Sequence, residues 1–239
     1  MLEQLPLDEV LFLDIETVPQ VPSFEDLDED FQHLWTEKSR FVREKKGLEI
    51  SESYAEAGVY AEFGKIIVIG VGYFSQSFGE RVFRVTSFYG DDETEVLSEF
   101  AKLLERFTNN PFRVLCAHNG KEFDFPYLSR RFLINRLPLP AMLDMAGKKP
   151  WEIPHLDTLE LWKFGDYKHY TSLKLLAKIF GVPTPKDDID GSMVREVYYK
   201  ENDLERIERY CRKDVITVAQ LMLCYKNQPL VEEDQIIHV

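Results

Sequence analysis

The stretch 203–225 has the length and pattern of a long helix, and it carries a carboxylate inside its own apolar stripe. Leu204, Ile207, Cys211, Val218, Leu221 and Met222 recur at about 100° per residue, so this face is expected to be buried. Asp214 projects into the middle of that face. Taking a lone carboxylate out of water costs several kcal/mol, so it must be paired, protonated or bound to a metal. Tyr210 lies one turn earlier and reaches the same space. Arg212 and Lys213 are the alternative partners for Asp214, although they point to other faces of the helix.

A second acidic feature ends the apolar run Val10-Leu11-Phe12-Leu13, which reads as a buried strand. Asp14 and Glu16 follow, two residues apart, and side chains at that spacing share one face of a strand. Two like charges side by side at the end of an apolar strand are unfavourable unless a cation neutralises them. Hard oxygen ligands of this kind suit Mg²⁺ or Mn²⁺. The competing reading is a strand that simply ends in solvent-exposed acids. The third feature is His118-Asn119-Gly120-Lys121-Glu122-Phe123-Asp124-Phe125-Pro126-Tyr127, between an expected strand and an expected helix, where α/β sheets commonly bind ligands. Asp124 is flanked by Phe123 and Phe125, an apolar setting for an acid; alternatively, it only favours the helix dipole.

Residues 65–73 and 81–88 read as strands joined by a turn near Gly79, and 113–118 as another strand. Helices are expected over 94–107, from Pro126 to Ile134, and over 171–180, 190–199 and 203–225. The fold class is therefore α/β, a mixed β-sheet flanked by α-helices. Residues 1–225 are expected to form a single domain, with an acidic and mostly helical insertion at about 19–62 and a C-terminal tail at 226–239. Helical spacing in the insertion places Phe31, Leu34, Trp35 and Phe41 together.

The formal net charge is −13, which argues against a generally basic nucleic-acid-binding surface. The charge is uneven: residues 1–64 hold 16 acids against 5 bases, whereas 111–186 hold 12 Lys/Arg against 7 Asp/Glu. Arg130, Arg131, Arg136, Lys148, Lys149, Lys163, Lys168 and Lys174 form a candidate basic track, with ordinary solvated surface charge as the alternative. The cysteines Cys116, Cys211 and Cys224 form no CxxC spacing and fit a reduced, cytoplasmic protein. No segment reads as a membrane span or a secretion signal.

Three segments together resemble a known family. Asp14-Ile15-Glu16-Thr17, Asn119 through Asp124 to Tyr127, and Tyr210-Cys211-Arg212-Lys213-Asp214 look like the three motifs of the tyrosine (DEDDy) branch of DnaQ-like exonucleases. The second motif is especially similar to the proofreading domain of family B DNA polymerases, and His155-Leu156-Asp157-Thr158, Ser172-Leu173 and Lys186 to Gly191 look like its connecting segments. The best fit is to stand-alone bacterial exonucleases of that type. The histidine branch needs His-x₄-Asp, and no histidine here has an aspartate five residues later.

The resemblance implies an RNase H-like fold and a 3′→5′ exonuclease acting by a two-metal-ion mechanism with Mg²⁺ or Mn²⁺. Asp14, Glu16, Asp124 and Asp214 would be the metal ligands, and Tyr210 would orient the attacking water. Thr17, Asn119 and Phe123 would meet the substrate, with core packing as the alternative for Phe123. The substrate would be the 3′ end of single-stranded nucleic acid, DNA favoured over RNA, with nucleoside 5′-monophosphates released. An RNA-trimming exoribonuclease, a non-catalytic nucleic-acid-binding accessory protein and a small-nucleotide phosphatase are the alternatives. The acidic insertion is a candidate surface for a protein partner.

Overall fold

The computed structural model describes residues 5–108, 110, 112–166, 168, 170–183 and 189–239; Lys186 lies outside them. Six strands form one mixed sheet: β1 (Val10–Pro19), β2 (Gly64–Ser77), β3 (Glu80–Tyr89), β4 (Val114–Ala117), β5 (Leu156–Asp157) and β6 (Ile236–His238). Their order is β5-β4-β1-β2-β3-β6. The meander β1–β2–β3 is antiparallel, while β4, β5 and β6 add in parallel. The helices are α1 (Glu29–Lys46), α2 (Ile50–Ser53), α3 (Glu93–Phe107), α4 (Asp124–Ile134), α5 (Thr158–Lys163), α6 (Leu173–Phe180), α7 (Val194–Glu196) and α8 (Leu204–Tyr225).

The two-residue period of β1 sorts its side chains between two cores. Leu11, Leu13 and Ile15 pack with Val96, Leu97 and Phe100 of α3 and Phe125, Leu128 and Phe132 of α4. Val10 and Phe12 pack on the other face, with Val215, Val218 and Met222 of α8. By the same parity, Asp14 and Glu16 belong to the α8 face.

β1 runs further than its apolar start suggests. Asp14 pairs with Gly70 and Glu16 with Val68, and after a register shift the ladder continues to Pro19 opposite Gly64. The acids therefore sit within the strand rather than past its end, because β2 goes on satisfying the backbone that carries them. A glycine faces Asp14 for a steric reason: a Cβ on Gly70 would lie 2.9 Å from both Cys211 Sγ and Val215 Cγ2. Its absence lets α8 approach the strand at the level of the acids.

Other expectations shift. The helix expected at 190–199 splits into α7 and a π-helical turn, Val197–Glu201, that ends at Asn202 in left-handed conformation. In the insertion Trp35 is buried against Tyr54 and Phe63, but Leu34 and Phe41 face solvent at 50% and 74% exposure, so only part of the expected stripe packs. Arg131 leaves the basic track altogether. It is buried, forks onto Glu93, and donates to the Ala61 carbonyl at 2.8 Å. Lys163 is also mostly covered, 3.8 Å from Glu122.

The segment expected as a tail is part of the sheet. β6 lies parallel to β3, with Phe83 opposite Ile236 and Val85 opposite His238. Buried Gln220 of α8 pins the approach to β6, accepting from Val231 N at 3.1 Å and donating to Val231 O at 2.7 Å. Truncation after Gln228 is expected to lower stability by roughly 2–4 kcal/mol, because the core loses the apolar cover of Val231 and Gln220 is left buried without its partners. Urea denaturation of the shortened chain measures this; an unchanged midpoint would show that the segment is dispensable.

Candidate active site

β1, α4 and α8 bring four acids together. Asp14 and Glu16 come from the α8 face of β1 and Asp214 from the middle of α8. Asp124 is the first residue of α4, and its Oδ1 accepts the Ile15 backbone N–H at 3.2 Å. This buried bond fastens the start of α4 to β1 between the two strand acids. Asp124 is 3% exposed and Glu16 8%.

The proximity shows in the electrostatics. Burial, followed by the negative charges of Glu16, Asp124 and Asp214, holds the Asp14 carboxyl well above its ordinary range. Burial, then Asp214 and Asp124, does the same to Glu16. Asp124 is pushed up to about 7 by burial, against the lowering effect of backbone donors that include Ile15. Burial and then Asp214, Glu16 and Asp14 raise the Tyr210 phenol, which donates a hydrogen bond to Asp214. Tyr210 is therefore a proton donor at neutral pH and not a base.

This is concentrated negative charge in a poorly hydrated place, and it fits a divalent cation held by hard oxygen ligands. One ligand atom each from Asp14, Glu16 and Cys211 lie within 4.8 Å of one another. The Cys211 thiol lies 3.4 Å from the Asp14 carbonyl and 3.5 Å from its Oδ2, so sequence spacing gave this cysteine only a place in the stripe while folding puts it against an acid. Arg212, an alternative partner for Asp214, instead pairs with Glu208 one turn earlier.

The loop that delivers Asp124 is clamped by a residue whose part the spacing left unassigned. The Asp157 carboxylate accepts Asn119 N at 2.9 Å and Lys121 N at 3.1 Å while also capping α5 through Leu159 N and Glu160 N. The signal was legible as Asp157-x-x-Glu160 ahead of an apolar run, a capping pattern, but its second task depends on tertiary proximity. Asn119 adopts a left-handed φ of 63° and its carbonyl accepts Phe123 N at 3.0 Å, so it shapes the loop.

Thr17 donates its hydroxyl proton to the Gly58 carbonyl at 2.8 Å, as does Tyr127. Phe123 is half-buried against the α3/α4 core, its ring 5.3 Å from that of Tyr127. The packing alternative for Phe123 thus has direct support.

Residues 55–225 match the RNase H superfamily, well over half of the chain. The chain belongs to the RNase H superfamily. The match takes in β2 through α8, including Asp124, Tyr210 and Asp214, and begins after the strand that carries Asp14 and Glu16. The mixed sheet flanked by helices agrees with that membership, which carries with it a nuclease-like function, nucleic acid as the bound partner and a general use of divalent metals. No curated protein sequence matches the chain. Among the described residues, no helix is long and apolar enough to cross a membrane.

Repulsion within the cluster predicts opposite effects of one substitution in two conditions. Without metal, Glu16→Gln is expected to raise stability by about 1 kcal/mol, since a buried charge among like charges is removed. With saturating Mn²⁺ the native chain is expected to gain roughly 5 °C in melting temperature and the variant much less. Thermal melts with and without Mn²⁺ measure both, and equal metal shifts in the two proteins would contradict the assignment.

Proposed function

We propose that this RNase H superfamily member is a metal-dependent 3′→5′ exonuclease that removes nucleoside 5′-monophosphates from the 3′ end of single-stranded DNA. The observation that carries this reading is the meeting of four acidic side chains from three elements, with a protonated tyrosine bonded to one of them. Such a site has the ligands for two cations and a neutral donor beside them. Its likeness to the tyrosine branch of DnaQ-like exonucleases gives direction and polarity to the proposal.

Asp14, Glu16 and Asp214 would hold one divalent cation, and Asp14 with Asp124 a second. When bound, such ions supply nucleophile activation and neutralise the charge that builds on the phosphodiester. The residues divide the remaining work. Asp124, tied to Ile15 N, keeps α4 in register with the strand acids. Tyr210 keeps its proton and orients the attacking water through its hydroxyl, while Asp214 accepts from it and fixes its direction. Asn119 and Asp157 set the loop along which the strand end would lie.

The test is a 5′-labelled single-stranded DNA oligonucleotide incubated with the protein and Mg²⁺ or Mn²⁺, beside an RNA of the same sequence. A ladder shortening from the 3′ end, with 5′-mononucleotides as the product, is expected, with DNA degraded faster. Asp14→Asn and Asp214→Asn are expected to lose on the order of 10³-fold in rate, and Tyr210→Phe about 100-fold. Internal cleavage, or hydrolysis of mononucleotides with intact oligonucleotides, would refute the proposal.

A further inference from the structure

Among the described residues, one exposed aromatic ring lies against His118, the residue just before the loop that delivers Asp124. Tyr170 is 67% exposed, yet it is held in place from one side. Its ring meets the His118 ring edge-on, with centroids 6.3 Å apart and planes at 68°. His118 follows the last residue of β4 and immediately precedes the Asn119 loop.

His118 is itself fixed. Its Nε2 lies 3.0 Å from the Thr171 carbonyl and its Nδ1 lies 2.9 Å from the Thr158 hydroxyl. A carbonyl only accepts, so Nε2 carries the proton. Burial keeps the imidazole pKa below its ordinary value and the ring neutral, so Nδ1 accepts from Thr158. The bond to Thr171 anchors the residue next to Tyr170, and Ser172 then caps α6 through Leu175 N. Tyr170 is thus an exposed ring on a tethered backbone.

Its neighbours give the exposure a meaning. Partial burial, followed by the charges of Asp124, Asp157 and Asp214, raises the Tyr170 phenol pKa, so the side chain lies within electrostatic reach of the acids and stays neutral. Trp151 and Phe164 are more exposed, at 77% and 83%, and the Trp151 ring faces the Lys149 ammonium instead. Phe123, in the Asn119 loop, is half-buried with its ring packed at a tilt against Tyr127. A neutral ring fixed beside carboxylates offers what a single-stranded substrate needs and acids cannot provide: attraction for a base through its π-face, indifferent to sequence.

We propose that Tyr170, held by His118 at the edge of the acidic cleft, is the stacking platform for the base at the 3′ end of the bound strand. This rests on the nuclease reading of the site and adds a substrate-positioning residue to it. Stacking supplies affinity in a cleft whose charge repels a phosphate backbone until cations are present.

The test uses the full chain carrying Asp14→Asn, which slows cleavage, and a DNA oligonucleotide with 2-aminopurine at its 3′ end, in the presence of Mn²⁺. Binding is expected to quench the 2-aminopurine. Adding Tyr170→Ala is expected to remove the quench and weaken binding roughly 5- to 100-fold, with the thermal melt unchanged because the ring is exposed. Tyr170→Phe and Tyr170→Trp are expected to keep both. In the otherwise native chain, Tyr170→Ala should raise KM far more than it lowers kcat. Quenching and affinity unchanged in Tyr170→Ala would overturn the stacking role while leaving the nuclease reading intact. So would a loss in Tyr170→Phe equal to that in Tyr170→Ala, since it would assign the effect to the hydroxyl. If the native chain neither bound nor cut oligonucleotides in Mn²⁺, the nuclease reading would fall, and the platform with it.

Discussion

Repulsion among carboxylates packed between β1 and α8 is the constraint on which the rest of this structure turns. Water would screen these charges, but burial removes it, and each acid then raises the proton affinity of its neighbours. A fold that assembles such a cluster must hold it rigidly against its own tendency to open. Gly70 admits α8 close to the strand, Asp124 is bonded to Ile15 N, and the buried Arg131–Glu93 pair locks α4 to α3 behind it. The cost of apposing the acids is offset by large apolar cores on both faces of the sheet.

The same arrangement makes chemical sense for a superfamily that works on nucleic acid. A phosphodiester is itself an anion, so an acidic cleft is a poor receptor until divalent cations reverse its sign. Affinity for the remainder of the strand must then come from elsewhere. With Arg131 and Lys163 engaged inside the fold, the basic track is shorter than it looked, and the exposed Tyr170 ring, within electrostatic reach of the acids, gains importance.

Much of this was legible in the sequence where a physical rule is strongly periodic. The alternation from Val10 to Glu16 gives the face of the two strand acids, and the stripe of 203–225 gives the placement of Asp214 and Tyr210, which the structure has on α8 from Leu204 to Tyr225. Rules that depend on a distant partner did worse. The extent of β1 to Pro19 follows from β2 alongside it, so the acids looked terminal when they are central. Ile236–His238 is too short to announce a strand and becomes one only because β3 has a free edge. Arg131 looked like any surface base until Glu93 lay opposite, and Asp157 was only part of a connecting segment until Asn119 folded over it. Cys211 was a stripe residue in the sequence and is a neighbour of Asp14 in space.

Crystals soaked in Mn²⁺ with a nucleoside 5′-monophosphate, with diffraction collected where manganese scatters anomalously, test the central claim most directly. The account predicts anomalous density within about 2–2.5 Å of carboxylate oxygens of Asp14, Glu16 and Asp214, with the phosphate of the nucleotide against it. A fully bound nucleotide with no manganese at those carboxylates, or manganese held only elsewhere on the protein, would contradict it.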